Sequence, residues 1–195
     1  MSNNDLILFI APANSIHSHK WISYFTKKNI KWISYNKIDK NTKELLQEQH
    51  KENLTKLKIF NDNLFPFISI FLSLIYILKH KPKTIHIHSV AKYTFLSILI
   101  FFFHKRIILT IWGTDFLQNY SSPFKKFFFN FIFKKAYLIT TDGIHIKEKL
   151  IETFSDINDK IRIINFGINL FYYNDEFDNN NIRKELLNFT EKNNN

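Results

Sequence analysis

Two pairs of histidines, one isolated acid and a tryptophan are the residues of this 195-residue chain whose types and spacing could do chemistry. His17 and His19 stand in PANSIHSHK, and His86 and His88 in TIHIH. An HxH pair on a strand puts both imidazoles on one face, which would suit a metal. A zinc site takes three or four ligands, however, and no third is set by spacing, so no metal is expected. His86 reads as a satisfied histidine in or beside the core. His88, at the end of its run, fits a core and a cleft equally. Asp115 is the only acid between Asn63 and Thr141, two residues beyond Gly113. It suits a helix N-cap or a loop hydrogen bond, and equally a polar contact to a hydroxyl-rich ligand. Asp142 immediately precedes an amphipathic stretch and would cap it. Trp112 either stacks on a ligand's ring or packs beneath its turn.

Absences narrow the chemistry further. There is no cysteine, hence no disulfide, no thiolate metal site, no iron–sulfur cluster and no cysteine nucleophile. With 3 glycines the chain has neither the GxGxxG dinucleotide fingerprint nor a P-loop. GxSxG is missing as well.

The elements that must position these residues follow from periodicity. Short β-branched runs at 6–11, 31–35, 57–60, 84–88, 107–112, 137–141 and 161–166 read as strands. Helical patterns lie between them at 17–28, 42–53, 66–80, 91–104, 123–134 and 144–154. Strand alternating with helix predicts βαβ units and a parallel sheet with helices on both faces. In such sheets ligands bind outside the carboxyl ends of the strands. The turns at 12–20, 88–89, 113–115 and 142–143 are therefore where chemistry belongs. The length suits one domain, over 1–171, large enough to bury a core unaided. Residues 172–195 are acidic and Asn-rich and read as a linker or tail, with room for a short helix over 182–189.

Net charge is +10, with 45% apolar and 23% charged residues. From Asn63 to Thr141 stand ten cations against Asp115 alone, nearly the whole excess. Nucleic acid is a poor match, because base readout favours Arg forks and the chain has three Arg against 24 Lys. An anionic membrane surface fits better. FKKFFFNFIFKK brackets an aromatic run with Lys125, Lys126, Lys134 and Lys135, as interfacial helices do. The alternative for this segment is a buried helix with solvated lysines at its ends. The first residues lack the basic start of a signal peptide, and the uncharged stretch 64–78 is too short to span a bilayer. A cytoplasmic protein is expected, with peripheral attachment at the inner face of a membrane.

Four stretches carry a resemblance. IHSHKWISY (16–24) is similar to the first turn and helix of GT-B glycosyltransferases of the retaining family 4, and KPKTIHIHS (81–89) to their KPDVIHVH strand. TIWGTD (110–115) looks like their HGSD or WGSD turn. The region 136–151, followed by IRIINFGINLF (161–171), resembles their ADxIIxxS and VIPNGID hinge sequences. The resemblance implies a Rossmann-like parallel sheet forming the N-terminal, acceptor-side half of a GT-B fold, the C-terminal half being absent. It implies transfer of a hexosyl-type unit from a nucleotide sugar to a glycan or lipid-linked acceptor, as in polysaccharide or lipopolysaccharide synthesis. His17, His88, Gly113 and Asp115 would line the acceptor side, no cofactor would be needed, and no catalytic base can be named. The missing domain, in cis or in trans, would hold the nucleotide, so this chain alone would be inactive. Where many relatives place glycines in the first turn, this chain has APANS. The alternative is a non-catalytic membrane-surface or interaction module derived from such a domain.

Overall fold

The computed structural model describes residues 5–25, 28–35, 38, 40–49, 56–60, 66–89, 94–117 and 123–164. The hinge-like segment after 164, Gly167 and the 172–195 tail with its short helix lie outside the described residues. Seven strands form, β1 (Ile7–Ile10), β2 (Ile30–Ser34), β3 (Leu57–Ile59), β4 (Thr84–His88), β5 (Ile107–Ile111), β6 (Leu138–Thr141) and β7 (Ile161–Ile163). The helices are α1 (Ile16–Ser23), α2 (Lys40–Gln49), α3 (Pro66–His80), α4 (Thr94–Phe103), α5 (Gly113–Leu117), α6 (Pro123–Lys135) and α7 (Ile144–Thr153), followed by a 3-10 helix, Ser155–Lys160. The strands make one sheet in the order β3-β2-β1-β4-β5-β6-β7. Every pairing is parallel. This is the expected Rossmann-like α/β architecture.

Alternation along each strand divides the core in two. Leu8, Ile10, Ile85, Ile87, Leu109 and Ile139 point to the side covered by α3, α4, α6 and α7. Phe9, Ile30 and Trp32 point to the other, against Ile22 of α1 and Leu46 of α2. Each such side chain, fully buried, contributes roughly 1.5–3 kcal/mol.

Some elements depart from the periodicity. α1 ends at Ser23 rather than running to 28, because its last turn tightens: Tyr24 N–H donates to Trp21 O and Phe25 N–H to Ile22 O. The chain must turn there to start β2 opposite Ile7. α5 and the 3-10 helix were not expected. The aromatic run of α6 is a core element on one side, with Phe129, Ile132 and Phe133 buried and the Phe129 and Phe133 rings stacked at 5.6 Å. The helix is therefore not an interfacial helix through its middle. Phe124, Phe127 and the four lysines stay on its outer side.

The strand order reverses at β1. From β1 the chain passes to α1 on one face, and from β4, its neighbour, to α4 on the other. In folds of this kind the ligand crevice lies at such a reversal, which here is the carboxyl edge between β1 and β4. Ser89, directly after His88, takes a left-handed conformation with φ 57°. For a residue with a side chain this costs on the order of 1–3 kcal/mol.

Candidate functional site at the carboxyl edge of the sheet

The first wall of the crevice is the turn from β1 into α1, and side chains rather than glycines hold its shape. Trp32 Nε1 donates to Ala11 O at 2.9 Å, and Ala13 N–H donates to Ser34 Oγ at 2.9 Å. His19 Nε2–H donates to Ala13 O at 2.6 Å, which fixes its tautomer. Ala11 and Ala13 are wholly buried, so a larger side chain would have no room. The APANS turn is thus pinned from β2 on one side and α1 on the other.

The second wall is β4. His86 and His88 share the α1 face and are both buried. His86 Nε2 is 2.6 Å from Thr110 Oγ1, which is 2.8 Å from Thr140 Oγ1, a polar ladder across three strands. His86 is therefore the satisfied core histidine expected. Burial pushes its pKa down to about 3. His88 differs. It is wholly buried, and neither ring nitrogen has a hydrogen-bond partner among the described residues. Burial, then the neighbouring His86 and His17, holds its pKa well below the ordinary value. Both rings are neutral at pH 7.

Aromatic rings enclose the pair. Trp21 of α1 meets His86 edge-on at 4.8 Å and His88 at 5.8 Å, and Phe9 lies 5.1 Å from His86. Trp112, at the end of β5, stands edge-on to His88 at 5.8 Å, and His17 lies against Trp112 at 5.3 Å. Ring by ring, the cluster runs from the buried ladder out to the exposed His17.

Of the residues expected to line the site, His17 and His88 are thus brought together through Trp112. Gly113 follows Trp112 and opens α5. A Cβ there would stand 3.0 Å from Ile146 Cδ1, so its smallness serves the seating of α5 on α7. Asp115 is the third residue of α5, inside the helix and not at its N-cap. Its side chain lies outside those described. Asp142 does not cap α7. The N-cap is Gly143, whose carbonyl accepts from Lys147 N–H, so Asp142 stands one residue too early.

Asp142 Oδ1 is instead buried and unpartnered among the described residues, as are Thr141 Oγ1, Trp112 Nε1 and both nitrogens of His88. All belong to the carboxyl ends of β4, β5 and β6. A buried polar atom left unpaired costs about 1–3 kcal/mol, and a native fold carries few of them. Their concentration along one strand edge gives that edge spare hydrogen-bonding capacity beside aromatic faces. Neutral imidazole, indole N–H, hydroxyl and carboxylate together suit a polyhydroxylated ligand with an apolar ring face. Among the described residues no three His, Asp or Glu side chains group as metal ligands would.

Reasoning from sequence missed Phe9, Trp21, Thr110 and Thr140. A signal existed for Thr110, the one polar residue of β5. Lys125, Lys126, Lys134 and Lys135 are all exposed on α6, apart from this edge. An open groove of about 380 Å³ beside them, lined by Lys126, Asn130, Lys134 and Asp156, includes none of the strand-end residues.

Residues 6–144 match the model of the glycosyl transferase 4-like family. No curated protein sequence matches the chain. Among solved structures, it resembles Alr3699/HepE of Anabaena in complex with UDP, with a TM-score of 0.59 and 13% identity over 92% of this chain and 49% of that one. It also resembles the UDP-N-acetylglucosamine 2-epimerase of Rickettsia bellii, with a TM-score of 0.52 and 13% identity over 80% of this chain and 43% of that one. The chain thus spans about half the length of these structures.

Proposed function

The chain belongs to the glycosyl transferase 4-like family, and on that premise we propose that it is the acceptor-side half of a glycosyltransferase. The reaction is transfer of a sugar from a nucleotide-sugar donor to a hydroxyl of a glycan or lipid-linked acceptor, in synthesis of polysaccharide or lipopolysaccharide type. The observation that carries this reading is the set of unpartnered polar atoms at the strand ends, set beside Trp112 and His17 at the β1–β4 crevice. A sugar ring needs such a combination, since its edge is all hydroxyls and one of its faces is C–H.

The roles follow from position. Trp112 and His17 offer ring surface to the acceptor sugar. His88, held neutral, can both accept from one hydroxyl and donate to another. Gly113 keeps α5 close, and Asp115 on that helix binds an acceptor or donor hydroxyl. Positioning of this kind is a large part of what a transferase must supply. The rest is stabilisation of the departing diphosphate. The pinned, glycine-free first turn spends its backbone groups on Trp32, Ser34 and His19, which suits one wall of a cleft better than a phosphate cradle. A second GT-B domain, in cis or in trans, is the natural holder of the donor. The UDP bound in the Anabaena structure supports a uridine or related diphosphate sugar as that donor. No cofactor or metal enters the proposal.

The test is a transfer assay with labelled nucleotide sugars and candidate acceptors, in the presence of the partner domain. Trp112→Ala and Asp115→Asn should each lower kcat/KM by on the order of tenfold or more, with melting temperature nearly kept. Full transfer by both variants would overturn the site assignment.

A further inference from the structure

α3 is built inside out. Its sequence, PFISIFLSLIYILKH, reads as apolar almost throughout. Both of its serines are buried, beside Ile77 and the partly buried Ile70 and Leu74. Ser69 is 4% exposed and Ser73 0%. Ser73 Oγ–H donates to Ser69 O at 2.8 Å, and Tyr35 OH lies 2.7 Å from Ser73 Oγ. The bulky apolar residues face outward: Phe71 is 63% exposed, and Leu72, Ile75 and Leu78 about half exposed. Their spacing draws one stripe along the helix. A surface helix in water has the opposite arrangement.

The same layer of the fold repeats the pattern. Phe102 and Phe103 end α4 exposed, and Phe127 stands exposed on α6. No acidic residue occurs on α3, α4 or α6. Lys79, Lys105, Arg106, Lys126 and Lys135 stand exposed at the ends of these helices or just beyond them.

We propose that this layer docks on an anionic lipid bilayer, with the α3 stripe and the terminal phenylalanines entering the interface and the lysines set among the phosphates. α3 has 15 residues and would be roughly 22 Å long, short of the roughly 30 Å of a bilayer core. No helix among the described residues is long and apolar enough to cross a membrane. The layer therefore lies on the surface. Charge favours lipid over protein. Protein interfaces draw on Arg and deplete Lys, whereas a lipid surface takes lysines as point charges. A second copy on this face would set the exposed cations of α3, α4 and α6 against their own kind, and none of these three helices carries an acid. The proposal stands independently of the sugar-transfer reading, because none of its residues belongs to the strand-end site.

The test uses the whole 195-residue protein and vesicles of phosphatidylcholine with and without phosphatidylglycerol. Binding should favour the anionic vesicles and weaken at high salt. Lys126→Ala or Lys135→Ala should cost about fivefold each in affinity. Phe71→Ser combined with Ile75→Ser should cost on the order of tenfold or more with the melting temperature kept, since both side chains are exposed. The fluorescence that Phe71→Trp adds should be quenched by brominated lipid in anionic vesicles. Equal binding to both vesicle types, or to neither, would overturn the proposal. So would added fluorescence in Phe71→Trp that brominated lipid leaves unquenched, or a dimer that the double serine variant dissociates. Failed vesicle binding alongside sugar transfer in the presence of the partner domain would overturn this proposal alone.

Discussion

Acidification from pH 7.5 to 5.0 should destabilise this fold through His86. In the unfolded chain its imidazole takes up a proton as pH drops through 6.5, whereas in the fold it does so only at about 3. Between those values protons favour the unfolded chain, so stability is whole above 6.5 and is lost as pH falls through the window. At pH 5.0 the loss from this one group is about 2 kcal/mol relative to pH 7.5. For a chain of this length that lowers Tm by roughly 4–8 °C. His88 and His19 titrate in the same direction, their burial disfavouring the charged form. The carboxylates of Asp5 and Asp156 are held below their ordinary 3.8 by Lys83 and Lys134 and do not titrate in this window. Calorimetry at both pH values should compare the wild type with His86→Gln, whose amide can still reach Thr110. The variant should recover about 2 kcal/mol of the pH-dependent loss. Equal pH dependence in the two proteins would refute the buried, neutral His86.

Replacing His88 by Phe keeps a ring in the same place and removes two unpartnered nitrogens, so it should raise stability by about 1 kcal/mol or more while transfer is lost; calorimetry paired with the transfer assay reads both, and a destabilised variant would mean those nitrogens are already satisfied. Gly113→Val drives a branched side chain into Ile146, whose Cδ1 already stands 3.0 Å from where a Cβ would sit, and should cost about 1–3 kcal/mol in chemical unfolding. An unchanged denaturation midpoint would show that α5 is not seated on α7.

The sheet was legible because its strands are apolar runs at regular spacing, and because a parallel sheet forces helices onto both faces. His86 was legible too: a polar residue in mid-strand has to be satisfied. The burial of His88 was not, because nothing local says that Trp21, eight residues along from Ala13, folds back over the strand ends. Asp142 misled for a related reason: capping depends on a one-residue register that composition does not set. α3 could not be read at all as an inverted helix. Its apolar run covers every face, and the side that turns inward is set by distant partners, Tyr35, 38 residues away from Ser73, and the core that takes Ile77. The membrane expectation rested on the aromatic run of α6, whose centre the core takes, while the outward stripe proved to lie on α3.

On the proposed function, the strand-end site takes carbohydrate on its Trp112 wall while the nucleotide sugar needs a second domain. Tryptophan-labelled protein offers three indole N–H resonances, from Trp21, Trp32 and Trp112. Trp32 is tied to Ala11 O and serves as an internal control, whereas Trp112 Nε1 has no partner among the described residues. Titration of residues 1–195 with soluble oligosaccharides should shift the Trp112 indole and leave Trp32 in place, while nucleotide sugars bind no tighter than about millimolar, since phosphate contacts on one open wall are screened by water. Micromolar binding of a nucleotide sugar to this chain, or oligosaccharide titrations that leave Trp112 unmoved, would contradict the account.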